Sequence, residues 1–431
     1  MNTNITPVVA NEFKPAGNVR WKVTVILLLV ALINYLDRTN LAIAATQMMK
    51  ELHLTNTDIG LCGAVFAWTY AIMQLPAGWL VDRFGAKRVM ITALVGWSFA
   101  TLLSGIAHTL AFLLFARFMV GFFESPCMPT LSKIISFWVP KKEKDLATGI
   151  WNSGTKFGPA LAPPLLVTIM VLFGWRALFY ITGIAGILLG AYIWKRYHSP
   201  QEDKSLSQEE LDYIMADSGV EEKTNQSKIS WLSLFRYRSV WGLLLGYFCI
   251  TWIWTIFINF LPLFLYNTQH ISLAQLGFYA SIPWIGGITG SIGGGWITQK
   301  LMEKANIPPI RAKRIVISVS ALITGISVCS IPFVDGLGQT ITVLTIAIFC
   351  ISNMQARSWA LSVDVSPRAL VASVGSLQNF GGYFGGAFAP VVCGMIVDST
   401  GSYTLAFISG GMIVACAAIC YWVIVKEPIP A

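Results

Sequence analysis

Seven charged residues sit well inside long apolar segments of this chain: Asp37, Arg38, Arg117, Glu124, Lys156, Arg357 and Asp364. A charge at mid-bilayer depth costs about 3 kcal/mol or more on insertion scales, so such groups are expected to face a protein-lined, watery cavity. Four of the seven are cations, which points to an anion as the species that passes through. The two central carboxylates, Asp37 and Glu124, are placed to carry protons with it. No histidine competes for that task, because His53, His108, His198 and His270 all fall at loops or span ends. Burial disfavours a charged carboxylate and a neighbouring arginine favours it, so proton affinity is expected to change when substrate engages the arginine. The opposing expectation is a permanently ionised pair, Asp37 with Arg38 or Glu124 with Arg117.

Spacing along a helix gives these roles geometry. Arg117 and Glu124 are seven residues apart, so at 3.6 residues per turn they share a face, about 10 Å apart along the axis. Adjacent Asp37 and Arg38 diverge by about 100°, so one points into the cavity while the other reaches a neighbouring helix. Arg357 and Asp364 repeat the seven-residue spacing. Arg357 is expected either to contact substrate or to serve as a structural partner for Asp364. Asp364, three residues before Pro367, is expected at the membrane boundary in a structural role. Lys156 lies on a Gly-rich span expected to line the cavity, and substrate contact is its favoured role. Trp359 and Trp254 are better candidates for the cavity wall than Trp68, Trp151 or Trp284, and for any one of the five packing is the favoured role.

The elements that must hold these residues are long and apolar. The 431 residues are 55% hydrophobic and only 12% charged, with a mean hydropathy of +0.64. A spanning helix needs about 20 apolar residues. Candidate spans lie near 21–45, 58–81, 89–107, 109–137, 146–172 and 176–195, and six more near 239–265, 274–299, 313–332, 338–365, 369–397 and 402–425. A soluble protein of this length could not hide so much apolar surface. The first span is too long for a cleaved signal peptide. The formal charge of +9 is concentrated in alternate loops, among them Arg83, Lys87 and Arg88, then Lys141, Lys142 and Lys144, then Arg311, Lys313 and Arg314. That bias places both termini and the central loop in the cytoplasm, and the chain in the inner (plasma) membrane. The basic balance is topology, not a nucleic-acid surface. All eight cysteines fall in apolar stretches without paired spacing, so neither a disulfide framework nor a zinc site is expected. In the one sizeable polar insertion, 197–235, Ser207 followed by Glu210 is a helix-start signal. A short amphipathic surface helix within a solvated linker is expected there.

The chain also repeats itself weakly. NSGTKFGPALAP at 152–163 parallels NFGGYFGGAFAP at 379–390, and Pro140 falls opposite Pro367 in that register. GWLVDR at 78–83 echoes GWITQK at 295–300. The fold expected is all-α and integral to the membrane, with twelve transmembrane helices in two pseudo-symmetric six-helix halves and a midplane site between them. The halves are 21–196 and 236–425, flanked by cytoplasmic tails 1–20 and 426–431 and joined by the linker 197–235. Glycines at four-residue spacing let helices approach closely. Gly154 and Gly158, like Gly381 and Gly385, suit either sliding faces or static packing; for Gly286, Gly290 and Gly294 packing is favoured.

The loop after span two, GWLVDRFGAKR at 78–88, resembles the signature loop of the major facilitator superfamily. In it Gly78 permits close helix approach, Gly85 a tight turn, and Asp82 can accept from a helix N-terminus across the seam between halves. With Arg83 these residues are expected to latch one side shut in one state; the second copy has Gln299 where the acid would stand. NYLDRTNL at 34–41 and RFMVGFFESP at 117–126 resemble the first and fourth spans of the anion:cation symporter family within that superfamily. The similarity to galactonate, hexuronate and glucarate carriers runs over nearly the whole chain. It implies that Arg38 and Arg117 are linked to substrate, that Asp37 and Glu124 are the protonatable pair, and that Tyr35, Tyr70 and Asn379 are further polar cavity positions. At Thr155 the galactonate carrier pattern has a glutamine that contacts sugar hydroxyls.

The function expected is proton-coupled symport of an organic anion by alternating access, with a sugar acid (aldonate, hexuronate or aldarate) as substrate. The working form expected is a monomer in membrane lipid, driven by the proton gradient, with no cofactor, no metal and no nucleic-acid partner. An organophosphate-for-phosphate exchanger would also want several cations but needs no proton carboxylates. A non-transporting membrane nutrient sensor is the alternative of another class. An enzyme is not expected, since the sequence has no nucleotide loop, no His-rich metal cluster and no nucleophile with an evident base.

Overall fold

Helices alternate in direction from one end of the chain to the other. The computed structural model describes residues 17–140, 143–217, 231–334, 336–366 and 371–429. The first half comprises α1 (Val19–Leu52), α2 (Asn56–Phe84), α3 (Ala86–Gly105), the pair α4 (Leu110–Glu124) and α5 (Cys127–Trp138), α6 (Lys144–Phe173) and α7 (Trp175–Arg196). After α8 (Gln208–Asp217), the second half comprises α9 (Arg238–Thr268), the pair α10 (Leu273–Tyr279) and α11 (Ile282–Lys304), α12 (Pro309–Cys329), α13 (Leu337–Val365), α14 (Val371–Thr400) and α15 (Tyr403–Ile419). With each pair taken as one crossing, the chain crosses twelve times. Among the described residues, ten helices are long and apolar enough to span a membrane by length and composition. Both ends of the bundle's chain, from Asn18 to Ile429, lie on the face that also carries the basic loops, called here the basic face; the opposite one is the far face.

Two spans expected as continuous are broken, and proline explains both breaks. Pro126 stands between α4 and α5 and Pro283 opens α11, and proline has no amide to donate and clashes with the preceding turn. The first break leaves Glu124 as the last residue of α4, in mid-span.

The sequence repeat reappears as packing. A Cβ on Gly154 would stand 3.0 Å from the Leu28 carbonyl oxygen on α1, and one on Gly381 2.6 Å from that of Leu244 on α9. Gly158 meets Tyr35, and Gly385 meets the Phe248 carbonyl. These stripes therefore lock α6 to α1 and α14 to α9 inside each half. They are static packing, not faces that slide between halves. Gly286, Gly290 and Gly294 likewise pack on α13, at Thr345, Phe349 and Asn353.

The halves meet at the far face. There Gly60 of α2 abuts the Pro390 carbonyl of α14, and Gly394 of α14 abuts the Asn56 carbonyl of α2. Asp398 accepts from the amides of Asn56 (3.0 Å) and Thr57 (2.7 Å), while the Tyr403 hydroxyl donates to Asn56 Oδ1 (2.5 Å).

The short helix expected in the linker is α8, and it is held more tightly than a solvated segment would be. Ser207 Oγ does accept from the Glu210 amide at 3.2 Å, starting α8. The Glu210 carboxylate, however, accepts from Arg20 Nη1 at 3.0 Å and from the amides of Val19 and Arg20 at 3.3 Å each. Arg20 Nε donates to Glu143 Oε2 at 2.7 Å, just ahead of α6. Arg20 and Glu210 are only 2% and 1% exposed, so α8 is clamped onto the first half. The C-terminal tail is held too, with the Ile429 amide donating to the Val365 carbonyl at 2.7 Å.

Candidate functional site

Between the halves lies a cavity of about 840 Å³. Ser132, Val363 and Gly375, all in helix turns near the basic face, line one end of it, and the far end stops at the seam of α2 and α14. Among the described residues, Arg38, Arg117 and Lys156 are the charged ones on its wall, and all three are cations.

Arg38 is held by charge and by rings. Its Nε donates to Glu124 Oε1 across α1 and α4. Its guanidinium carbon lies 4.8 Å from the centre of the Tyr35 ring, 4.9 Å from Tyr70 and 5.3 Å from Phe66. Such faces attract a cation and fix the guanidinium plane. Arg117 shares Phe66, at 5.0 Å, so one ring serves two cations. Arg117 is 4% exposed, its Nε has no hydrogen-bond partner, and no carboxylate of the described residues stands at ion-pair distance from it. Glu124 is fully buried behind Arg38, with its second oxygen unpartnered.

Asp37 points the other way, into the first half. Its Oδ2 accepts from Trp97 Nε1 at 3.1 Å, and its Oδ1 from Asn40 Nδ2 at 3.2 Å. Asn40 Nδ2 also reaches Thr182 Oγ1, at 2.7 Å. Asp37 is 1% exposed and is not part of the cavity lining. Neither ionised pair of the opposing expectation forms among the described residues: Glu124 takes Arg38 rather than Arg117, and Asp37 faces neutral donors. Arg38 and Asp37 do diverge as adjacent helix positions must, Arg38 to the cavity and Asp37 to Trp97 of α3; which neighbour each meets is decided by helix packing, not by spacing.

Lys156 reaches across the cavity. Its Nζ donates to Gln355 Oε1 of α13 at 3.2 Å and lies 4.8 Å from the Trp254 ring centre. Asn379 Nδ2 donates to Gln74 Oε1 of α2 at 3.0 Å, and Tyr70 packs on Tyr383 with centroids 4.6 Å apart. These three contacts each join one half to the other. Thr155 and Trp359 also line the cavity, with Trp359 Nε1 donating to Tyr247 at 3.0 Å. Trp151 and Trp254 are on the wall, whereas Trp68 packs edge-on to Phe384 and Phe388, and Trp284 edge-on to Trp254.

Arg357 and Asp364 do not form the pair their spacing suggested. Asp364 accepts from Lys313 Nζ at 2.5 Å, and Arg357 donates to the Ser291 carbonyl at 3.4 Å, lying against α11 and off the cavity wall. In the loop after α2, Gly85 takes φ +83° and joins α2 to α3. Arg83 is exposed, its guanidinium 5.9 Å from the Phe84 ring centre. Gly78 and the Asp82 side chain fall outside the described residues.

Gln74, Gln355, Asn152 and Tyr383 are cavity residues that the sequence reading did not single out. Two had a signal: Asn152 and Tyr383 fall opposite Asn379 and Lys156 in the internal repeat. Gln74 stands one turn from Tyr70 on the same helix face, and Gln355 was visible only as an uncharged polar residue in an apolar span.

Residues 27–390 match the Major Facilitator Superfamily. Among curated proteins the chain is 33% identical to the "Probable L-galactonate transporter" of Escherichia coli (strain K12), covering 95% of this chain and 90% of that one. It is also 33% identical to the "Probable galactarate/D-glucarate transporter GudP" of Bacillus subtilis (strain 168), covering 95% and 93%. Among solved structures, the bacterial homolog of the human lysosomal transporter Spinster, in an inward-facing and unoccupied conformation, superposes with a TM-score of 0.75 at 20% identity. The overlap covers 95% of this chain and 96% of that one.

Proposed function

The chain belongs to the Major Facilitator Superfamily, as a membrane transporter and not an enzyme, and from that premise we propose that it imports a sugar acid together with protons. The observation that carries this reading is the cavity wall: three cations, of which, among the described residues, only one is matched by a carboxylate. Arg117 and Lys156 are left to be neutralised by whatever enters, and a carboxylate on a polyhydroxylated chain suits them. Gln74, Gln355, Asn152 and Asn379 supply the neutral donors and acceptors that hydroxyls require. The names of the relatives, galactonate and galactarate/D-glucarate transporters, support the same substrate class.

The Arg38–Glu124 pair supplies the coupling. A substrate carboxylate that engages Arg38 and Arg117 competes with Glu124 for the same guanidinium. Glu124 released from Arg38 is a buried charge without a cation, and taking up a proton removes that charge. When substrate leaves, Arg38 returns to Glu124 and the proton departs to the water in the cavity. Asp37 is a second proton site that no cation compensates at ion-pair distance. The basic face, where Asn18 and Ile429 lie, is the cytoplasmic one by the positive-inside bias of its loops. Closure at the far face is then one state of an alternating-access cycle.

Uptake of labelled galactonate and galactarate into proteoliposomes, with an imposed inward proton gradient, tests the reading. Accumulation that collapses with the gradient is the expected result. Uptake driven only by internal phosphate would assign an exchanger instead, and binding without uptake would assign a sensor.

A further inference from the structure

A second hollow lies on the outside of the bundle. It measures about 620 Å³ and runs between α1 and α7 near the basic face. Its floor is aliphatic, built by Val25, Ile26 and Leu29 of α1 and Leu189 of α7. Its rim toward the basic face carries Lys22 and Trp21 on α1 and Tyr192 on α7. The order along each helix is what a lipid molecule requires. On α1, Lys22 precedes Val25 by three residues and Leu29 by seven, about 10 Å of helix. On the antiparallel α7, Leu189 leads to Tyr192 and then to Arg196, one turn further toward the basic face on the same stripe. α7 thus passes from aliphatic to aromatic to cationic, and α1 from aliphatic to Lys22 with Trp21 directly beside it.

The cations at this rim are not otherwise occupied. Arg20, two residues before Lys22, is consumed by Glu143 and Glu210. Lys22, Lys195 and Arg196 are exposed, and among the described residues none of the three forms an ion pair. Basic clefts between spans on the cytoplasmic side attract anionic lipid headgroups, and Trp and Tyr settle at headgroup depth.

We propose that the groove between α1 and α7 is a binding site for one anionic phospholipid. Its phosphate sits at Lys22 and Arg196, and one acyl chain lies along Val25, Leu29 and Leu189. The site is separate from the central cavity, since no residue is shared between them. It lies on the same helix that carries Arg38, so an occupied groove braces α1 from the lipid side.

The test uses the full chain purified in detergent, with native mass spectrometry and thermal unfolding. Added phosphatidylglycerol is compared with phosphatidylcholine of identical acyl chains. The expected result is one retained phosphatidylglycerol per chain and a higher midpoint of unfolding than with phosphatidylcholine. Lys22→Gln and Arg196→Gln should each weaken retention about fivefold. Lys22→Arg should retain it, and Leu29→Trp, which fills the floor, should abolish it in a chain that still folds. Equal retention of the two lipids, or loss that is the same for Lys22→Arg and Lys22→Gln, overturns the proposal. A dimer that dissociates on Leu29→Trp also overturns it, by assigning the groove to a second copy.

Discussion

Asp398, at the far end of α14, caps the first turn of α2 in the opposite half: its two oxygens accept from the amides of Asn56 and Thr57 and from the Thr57 hydroxyl at 2.5 Å. α2 is thereby capped twice, because Thr55 and Asp58 form a capping box of their own at the same end. The second cap is what ties the halves. It performs at the far face the task expected of Asp82 at the basic face, a carboxylate set against a helix N-terminus across the seam.

Asp398→Ala should therefore favour opening at the far face. Loss of a helix cap costs about 1 kcal/mol, which corresponds to about a fivefold change in the ratio of states. Spin labels at the exposed positions Ala111 and Ala274, on opposite halves at that face, report the change. A larger population at long distance is expected for the variant, and an unchanged distribution would remove Asp398 from the closing contact.

Replacing Arg117 by Ala should weaken substrate binding about a hundredfold or more, since two charge-assisted hydrogen bonds are lost at a buried position. Arg117→Lys should recover little, because a point charge cannot reproduce the planar fork. Calorimetric titration of galactonate measures both. Near-normal affinity of the Ala variant would move the anion site to Lys156.

Lys156→Gln bears on charge matching. In a cavity with two uncompensated cations, a diacid gains from the second and a monoacid does not. The variant should lose affinity for galactarate by about tenfold, the scale of one charged hydrogen bond, while galactonate changes less. Equal losses would make Lys156 a bridge to Gln355 with no part in recognition.

Glu124→Gln cannot exchange a proton and leaves Arg38 with a neutral partner. Gradient-driven accumulation should vanish, while exchange of labelled for unlabelled substrate across the membrane survives. If Asp37 carries a second proton, a monoanion enters with one net positive charge, worth about 2.3 kcal/mol per 100 mV of inside-negative potential. Uptake with pH and potential set independently measures that charge. Full accumulation by Glu124→Gln would assign the coupling to Asp37 alone.

Much of this architecture is legible in the sequence because the bilayer writes it there. Apolar length fixes the spans, the repeat at 152–163 and 379–390 fixes the halves, and charge at mid-span marks the wall at Arg38, Arg117 and Lys156. Helix ends are less legible: α1 runs to Leu52, past the expected 45, because Thr46 to Glu51 can continue a helix outside hydrocarbon. Partners are least legible. Seven-residue spacing put Arg117 on one face with Glu124 and Arg357 on one face with Asp364, but the carboxylates found Arg38 and Lys313 on neighbouring helices. Spacing describes one helix, whereas an ion pair is decided by which helices touch. The Arg20 clamp on α8 was hidden for the same reason, since Glu210 lies 190 residues from its partner.

At the far seam, backbone meets backbone where Gly60 faces the Pro390 carbonyl and Gly394 faces that of Asn56. No side chain stands between the helices at either point that a thermal fluctuation could swing aside. With proton coupling as proposed above, a carrier closed at these two contacts would hold its driving gradient while idle.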